Sequence, residues 1–185
     1  MPSPVGHVLA GVAVGWAVDG RRILDDAATL RSAVAFAMVA VLPDLDLLLS
    51  MQHRGPSHGI GAAFLIGVLA WGLTRRLRSG IAFGLAFASH ILLDWLGSDT
   101  TPPIGLMALW PFSREFYQSP YPVFMSVSRR YWMPGFWGYN LRVVTRELLI
   151  MVPIAMAVGA LLYRRTATRE RDARTAAATL DRDRA

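Results

Sequence analysis

Residues 33–42 read AVAFAMVAVL, and residues 62–73 read AAFLIGVLAWGL. Neither stretch alternates apolar with polar side chains, as a half-buried strand would, and a helix of either sequence is apolar on every side. Both are rich in small residues, alanine above all, which lets helices pack closely in lipid. These two stretches predict an all-α membrane protein.

Similar stretches recur along the 185-residue chain. Five apolar segments cover residues 5–18, 28–43, 59–74, 80–97 and 148–163. Each is shorter than the roughly 20 residues of a perpendicular membrane span, so polar flanks must sit at the interface. We therefore predict a polytopic bundle of four to five apolar helices, in which the first segment either crosses or lies flat. We expect residues 1–163 to form a membrane-embedded, hydrolase-like domain and residues 164–185 a charged cytoplasmic tail.

The composition agrees with a membrane protein and excludes several chemistries. Mean hydropathy is +0.36, and charged residues make up 17% of the chain, against about 25% in soluble domains. The chain has no cysteine, which excludes thiolate zinc sites, iron–sulfur clusters and cysteine nucleophiles. All 19 basic residues are arginine, so Schiff-base and P-loop chemistry, which need lysine, are excluded too.

The arginines predict an orientation rather than a nucleic-acid partner. The net charge is +6, but seven arginines lie in the last 22 residues among acidic residues, as in a solvated helical tail. If all five segments cross the membrane, 13 arginines fall on one side and 6 on the other. The side with more arginine is expected to be cytoplasmic, which places the N-terminus outside.

Ionisable residues in or beside apolar segments mark function in membrane proteins, because they are costly there. The chain has four histidines, and each lies within or next to an apolar segment: His7, His53, His58 and His90. The neighbouring acids are Asp44 and Asp46 in LPDLD, Asp94 in SHILLD and Glu147 before the last segment. With alternating crossings these positions all fall on one membrane face, which predicts a single site there.

These residue types are those of a site for zinc or a similar divalent metal. His90 and Asp94 are four residues apart, so on a helix they share one face and can bind one metal. Pro43 disfavours helix immediately before it, so Asp44 and Asp46 can project from an irregular segment. Each motif alone also fits a packing histidine or a helix end, and the combination carries the metal prediction.

The segment HRGPSH at residues 53–58 predicts an anion site. Its central Gly-Pro-Ser interrupts any regular structure between His53 and His58, and Ser57 is expected to be the N-cap of a helix that starts there. Such a helix would direct its positive end toward an anion such as phosphate. Arg54 is predicted to add a bidentate contact to the same phosphate, as a catalytic residue.

Several motifs in this order resemble a known family. They are PxGHxxxG from Pro4, LPDLD, HRGxSH, SHxLLDWLxxDTTPP and WPFS, which ends at Ser113. This set resembles the bacterial membrane-bound predicted metal-dependent hydrolases related to the LexA-regulated inner-membrane protein. Glu147 is a weaker extension of the resemblance.

That family is similar, more distantly, to the zinc-dependent phospholipase C and single-strand nuclease superfamily, helical enzymes that hold up to three zinc ions. The resemblance implies these metal ligands: His7, Asp44, His58, His90, Asp94 and Glu147. The superfamily commonly has a second helical HxxxE pair, but the residue four before Glu147 is Val143. The sequence thus departs from the pattern of a full three-zinc cluster.

The connection at residues 97–141 holds 11 of the 19 aromatic residues. Aromatic rings prefer the headgroup level, so we expect a long interfacial loop, as a plain aromatic belt or as a lid beside the metal. Secondary candidates for the site are Asp99, Arg114 and Glu115. Arg129 and Arg130 are expected to contact anionic lipid headgroups.

Together these features predict a membrane-bound hydrolase with one or two zinc or similar ions at the outer face of the inner membrane. A metal-activated water, oriented by Asp46, would attack a phosphoester or another ester bond of a lipid-like substrate. Membrane lipid is the expected partner, nucleic acid is not, and the oligomeric state is left open. The alternatives are a metal-binding transporter or sensor without catalysis, and a structural membrane protein with hydrogen-bonded polar caps.

Overall fold

A computed structural model describes residues 1–20, 27–49 and 53–182. The described residues form five long helices and one single turn: α1 (Pro4–Asp19), α2 (Ala27–Val41), α3 (Asp46–Leu49), α4 (Ile60–Thr74), α5 (Leu77–Trp95) and α6 (Phe136–Arg182). Two 3₁₀ turns cover Leu42–Leu45 and Pro56–His58. Over the same residues there is no strand, only two isolated β-bridges. The predicted all-α class is confirmed.

Among the described residues, three helical stretches are long and apolar enough to cross a membrane: Ala27–Leu45, Leu77–Trp95 and Phe136–Thr168. The helices α1 and α4 are apolar but shorter. The five predicted segments therefore each correspond to one apolar helix. The last helix begins 12 residues before the apolar segment at 148–163 and continues through Arg182, so the predicted tail extends α6. Two arginines of the orientation count, at 21 and 22, and residues 183–185 lie outside the described residues.

Local sequence signals explain the ends of α1. Pro4 occupies the first helical position, where its missing N–H costs nothing, and Ser3 precedes it at the N-cap. Gly20 ends the helix in the left-handed conformation (φ 62°), which glycine adopts without strain, and its N–H donates to the Trp16 carbonyl at 3.1 Å. The result places His7 in the first turn, at the end of the bundle where the chain enters.

Helix α5 lies at the centre and packs against α4, α1 and α2, while α6 packs on α1. Small residues allow the close approach of α4 to α5. A β-carbon at Gly67 would lie 3.1 Å from the Gly80 carbonyl oxygen, and one at Gly84 would lie 3.2 Å from that of Ala63. This is the small-residue packing expected of helices in lipid.

The bundle exposes apolar side chains and buries polar ones. Phe64 and Leu73 on α4 are 75% and 86% exposed, and Leu149 on α6 is 71% exposed. Among the described residues, five ionisable side chains are fully buried: His7, His58, His90, Asp94 and Glu147. An apolar exterior of this extent needs lipid around it, and ionisable residues inside a membrane bundle mark function.

The predicted long, aromatic-rich loop is residues 96–135, which join α5 to α6 without regular structure. The loop folds back on itself, since the Ser98 N–H donates to the Phe124 carbonyl at 2.8 Å and the Leu106 N–H to the Tyr117 carbonyl at 3.1 Å. It reaches the HRGPSH segment through the Met107 N–H, which donates to the Arg54 carbonyl at 3.0 Å. The loop therefore closes the end of the bundle at which α5 finishes.

Candidate metal centre

Five of the predicted ligands come together at one end of the bundle, each from the end of a helix. His7 lies in the first turn of α1, Asp44 in the 3₁₀ turn after α2, and His58 in the turn before α4. His90 and Asp94 lie in the last two turns of α5. We refer to these five residues as the His/Asp cluster.

Four members of the cluster have the geometry of one cation site. The Nε2 atom of His58 lies 3.8 Å from Asp44 Oδ1 and 3.5 Å from Asp94 Oδ2. The Nε2 atom of His90 lies 3.7 Å and 3.3 Å from the same two oxygens. One ligand atom from each residue falls within 4.8 Å of all the others. Two imidazoles and two carboxylates form a donor set that suits zinc.

His7 adjoins this group on its α1 side. Its Nε2 lies 3.3 Å from Asp94 Oδ1, and its ring stacks on that of His90 with the centroids 3.9 Å apart. His7 can therefore bind a metal that Asp94 also binds. Because Asp94 faces His7 with Oδ1 and the rest of the four-residue group with Oδ2, it can connect the two.

The cluster contains buried polar atoms without a hydrogen-bond partner. They are both ring nitrogens of His7, Nε2 of His58 and of His90, Oδ1 of Asp44 and both carboxylate oxygens of Asp94. Buried polar atoms in proteins are almost always hydrogen-bonded, because an unpaired one is costly. Here the unpaired atoms belong to neighbouring residues and converge, which is the arrangement that a bound cation satisfies. The residues present thus fit a divalent metal.

Two of the predicted ligand histidines, His90 and His58, are each oriented by a contact at Nδ1. His90 Nδ1 lies 2.8 Å from the Ala40 carbonyl oxygen, and His58 Nδ1 lies 3.2 Å from Asp46 Oδ2. Partners of this kind fix the tautomer of metal-binding histidines. Burial lowers the pKa of His58, but the nearby carboxylates of Asp44 and Asp46 outweigh burial and raise it to about 9. A metal ion would replace that proton.

Asp46, predicted to orient the attacking water, has both oxygens engaged by the protein. Oδ1 lies 2.5 Å from His53 Nδ1, while Oδ2 accepts from the Ser57 hydroxyl at 2.7 Å and the Arg54 N–H at 3.2 Å. Burial raises the pKa of Asp46, but hydrogen bonds from His58, Ser57 and His53 outweigh it and hold the pKa well below its usual range. Asp46 is therefore a charged hydrogen-bond acceptor that orients the rings of His53 and His58.

The expected helix start at Ser57 is wrong. Helix α4 begins at Ile60, with Gly59 at its N-cap and no side-chain cap. The Ser57 hydroxyl donates to Asp46 instead, and the residues up to His58 form a separate 3₁₀ turn. The Ser57 hydroxyl donates to the charged carboxylate of Asp46, and such a charge-assisted hydrogen bond is stronger than the neutral hydrogen bond of a helix cap. The 3₁₀ turn directs the His58 side chain into the cluster.

His53 stands at the rim of the cluster. Its Nδ1 contacts Asp46, and its Nε2 lies 3.8 Å from Asp44 Oδ1. The side chain is 12% exposed, whereas His58 and His90 are fully buried. Burial lowers the pKa of His53, and the hydrogen bond that His53 donates to Asp46 offsets only part of that effect. His53, Asp46 and His58 also form a second group with the spacing of a metal site.

Arg54, predicted to bind phosphate, is engaged by residues of the long loop. It is 7% exposed, and its guanidinium binds the Asp99 carboxylate and donates to the Thr101 carbonyl at 3.1 Å. Asp99 also accepts from the backbone N–H of Gly105 at 3.0 Å. Arg54 and Asp99 therefore connect the HRGPSH segment to the long loop.

Glu147 is fully buried but is separate from the four-residue group. It accepts hydrogen bonds from the Ser3 N–H at 2.6 Å and from the Ser3 hydroxyl. The resemblance implies a ligand here, whereas the structure shows a link between α6 and the start of α1. Arg114 and Glu115 are exposed, and neither contacts the cluster within the described part of the chain. Ser3 and the Ala40 carbonyl, which support the site, carry no distinctive motif in the sequence.

The fold and the cluster together define an α-helical membrane protein with a buried His/Asp centre. A family model described as YdjM inner membrane protein matches residues 1–171. The chain belongs to this family, and the match extends well beyond the motifs that end at Ser113, into α6 and the first residues of the charged tail. No curated protein and no solved structure matches the chain.

Proposed function

We propose that this protein is a membrane-bound, metal-dependent hydrolase that cleaves a phosphoester or another ester bond of a lipid-like substrate. The metal, zinc or a similar divalent ion, is held by Asp44, His58, His90 and Asp94. His7 completes the site or binds a second ion through Asp94. The observation that carries the proposal is the set of unpaired, buried ligand atoms that converge at one end of the bundle.

The residues around the metal have separate roles in this proposal. A divalent ion supplies Lewis acidity and activates water for hydrolysis. His53 accepts the proton of that water at Nε2, because this nitrogen faces Asp44 from the rim. Asp46 accepts the hydrogen bond of His53 Nδ1 and supports the ring as the proton arrives. Asp46 thus acts through His53 and His58.

The lipid-like substrate follows from the surroundings of the cluster. The long loop, which closes this end of the bundle, carries exposed aromatic residues: Tyr121 is 82% exposed, Tyr131 75% and Trp132 67%. Such rings lie at the headgroup level of a bilayer. A multi-pass arrangement with this end outside the cytoplasm agrees with the arginine distribution, since the predicted cytoplasmic side carries 13 of the 19 arginines.

The alternative is a metal-binding transporter or sensor. A transport pathway needs polar groups through the bundle, and a mainly apolar cleft at the opposite end does include the polar side chains of Asp19, Arg31, Ser32 and Ser79. Along α2 and α5, however, Phe36, Ala82 and Ala86 form a buried apolar cluster between that cleft and the His/Asp cluster. This apolar layer favours an enzyme with its site at one end.

The direct test is to purify the chain in mild detergent, measure its metal content and screen phosphodiester, phosphomonoester and carboxylic ester substrates with and without a chelator. We expect near-stoichiometric zinc or a similar ion, and hydrolysis that the chelator abolishes and added metal restores. A folded, metal-free protein would contradict the metal site. A metal-loaded protein that cleaves no substrate class would favour the transporter or sensor.

A further inference from the structure

Arg129 is an exposed cation at the rim of the His/Asp cluster. Its Nη2 lies 3.5 Å from Nε2 of His53, on the side of that ring that faces Asp44. Among the side chains that the structure describes, no carboxylate lies within 4.0 Å of the Arg129 guanidinium. The guanidinium therefore offers its N–H groups at the mouth of the site.

The backbone that carries Arg129 is held on both sides. The Ser128 N–H donates to Asn140 Oδ1 at 2.9 Å, and Asn140 Nδ2 donates back to the Ser128 carbonyl at 3.0 Å. Two residues earlier, the Ser126 N–H donates to the Ser98 hydroxyl at 3.0 Å. The long loop thus presents Arg129 from a backbone fixed to α6 and to the end of α5.

Arg129 meets the requirement that the sequence assigns to Arg54. The guanidinium of Arg54 is committed to Asp99 and to the Thr101 carbonyl, and it is buried. Arg129 is exposed and faces His53. Arg129 therefore lies at the rim, beside His53, with its guanidinium accessible to a substrate phosphate.

We propose that Arg129 binds the negatively charged phosphate group of the substrate and makes the site specific for phosphoesters over uncharged esters. The inference rests on the proposed hydrolase function and narrows its substrate class. A guanidinium forms paired hydrogen bonds with two phosphate oxygens, and these bonds are stronger than neutral ones. A carboxylic ester has no charge with which to form them.

A different role for Arg129 makes an opposite prediction. If the guanidinium only offsets the charge of Asp44, Asp46 and Asp94, it also repels a bound cation. Its removal would then tighten zinc binding and leave phosphate binding unchanged. If Arg129 binds substrate phosphate, its removal weakens phosphate binding and leaves the zinc content as it was.

The test compares zinc-loaded wild type with Arg129→Gln, Arg129→Lys and Arg130→Gln, all as the full chain in detergent. Arg130 is the matched control, since it is the adjacent exposed arginine. Calorimetry measures binding of inorganic phosphate and of a short-chain phosphatidic acid. We expect Arg129→Gln to weaken both by about 10-fold or more, Arg129→Lys to weaken them less, and Arg130→Gln to match wild type.

Three results would overturn the role of Arg129. Wild type could bind no phosphate, or Arg129→Gln could bind phosphate as tightly as wild type. In the third result, Arg129→Gln and Arg130→Gln lose the same affinity for phosphatidic acid and neither loses affinity for inorganic phosphate. The last result would indicate an ordinary headgroup contact. Turnover separates this inference from the hydrolase proposal. Arg129-dependent phosphate binding without cleavage of any ester would contradict the hydrolase alone. Hydrolysis of phosphoesters unaffected by Arg129→Gln would contradict the role of Arg129 alone.

Discussion

The Nδ1 atom of His90 lies 2.8 Å from the carbonyl oxygen of Ala40. A carbonyl only accepts hydrogen bonds, so Nδ1 must carry the proton and Nε2 presents its lone pair to Asp44 and Asp94. The backbone near the end of α2 therefore sets the tautomer of His90, a proposed metal ligand on α5. The same contact fixes the ring plane, so that the packing of two helices prepares the site for a metal.

We predict that His90→Ala and Asp94→Ala each lose most of the bound metal, because each removes a direct ligand. The measurement is elemental analysis of the purified variants. Ser89→Ala is the matched control, since Ser89 is buried beside His90 but donates its hydroxyl to the Ala86 carbonyl at 2.7 Å. Retention of full metal content by both ligand variants would refute the site.

The elevated pKa of His58 predicts a pH dependence for the metal-free protein. The pKa is raised from 6.5 to about 9 in the folded state, where carboxylates hold the proton. The stabilisation is fully present below pH 6.5 and is lost as the pH rises through about 9. We expect the thermal midpoint in detergent to fall over this range, by an amount that corresponds to roughly 3 kcal/mol at most.

Two comparisons check this origin. His58→Gln should flatten the pH profile between 6.5 and 9. Added zinc should raise the thermal midpoint of the wild-type protein at the alkaline end of the range, because the metal takes the place of the proton. A wild-type profile that stays flat, or that rises with pH, would contradict the assigned proton.

The arginine distribution predicts that the long loop after α5 and the C-terminal part of α6 lie on opposite sides of the membrane. The chain has no cysteine, so single cysteines can be introduced without a background. We expect Thr100→Cys to be labelled from outside and Ala167→Cys only after permeabilisation. Both positions are exposed. Labelling of both from the same side would contradict an odd number of crossings.

Much of the fold could be predicted because lipid imposes simple rules on sequence. Uniformly apolar segments rich in small residues identified all five long helices. In lipid every backbone N–H and C=O needs a hydrogen-bond partner, and a helix supplies these partners within a single segment. The extent of α6 could not be predicted, because its polar ends are stabilised by ordinary helix propensity rather than by hydropathy. The start of α4 was missed for a local reason, the preference of the Ser57 hydroxyl for Asp46.

The proximity of four candidate ligands could be predicted, because their motifs lie at the ends of apolar segments that were expected to share one membrane face. His58, His90, Asp44 and Asp94 follow from their positions at helix ends. Partners that are distant in sequence did not follow. The bond from Ser3 to Glu147 spans 144 residues, and that from Arg54 to Asp99 spans 45. Residue type alone cannot distinguish a carboxylate that binds metal from one already engaged by the protein.

The ion pair of Arg54 with Asp99 predicts a structural role for both residues. Removal of one partner leaves a largely buried charge, so we expect Arg54→Gln to lower the free energy of unfolding by about 3 kcal/mol. The metal content should remain that of wild type. The double variant Arg54→Met, Asp99→Leu should lose less than the two single losses together. Unchanged stability with weaker phosphate binding in Arg54→Gln would instead restore Arg54 as the phosphate-binding residue.

Asp44 and Asp46 are two residues apart, yet the structure predicts different consequences for the same substitution. Asp44 Oδ1 is buried and unpaired, whereas Asp46 already accepts from His53 and Ser57. Asp44→Asn should therefore remove metal and activity together. Asp46→Asn keeps the metal ligands but weakens support for the two histidines, so metal affinity should fall about 10- to 100-fold. At saturating zinc its turnover should still be about 10²- to 10⁴-fold lower, because proton transfer through His53 is impaired. Metal titration combined with turnover separates these outcomes, and full activity of Asp46→Asn at saturating zinc would exclude a role for the His53–Asp46 pair in proton transfer.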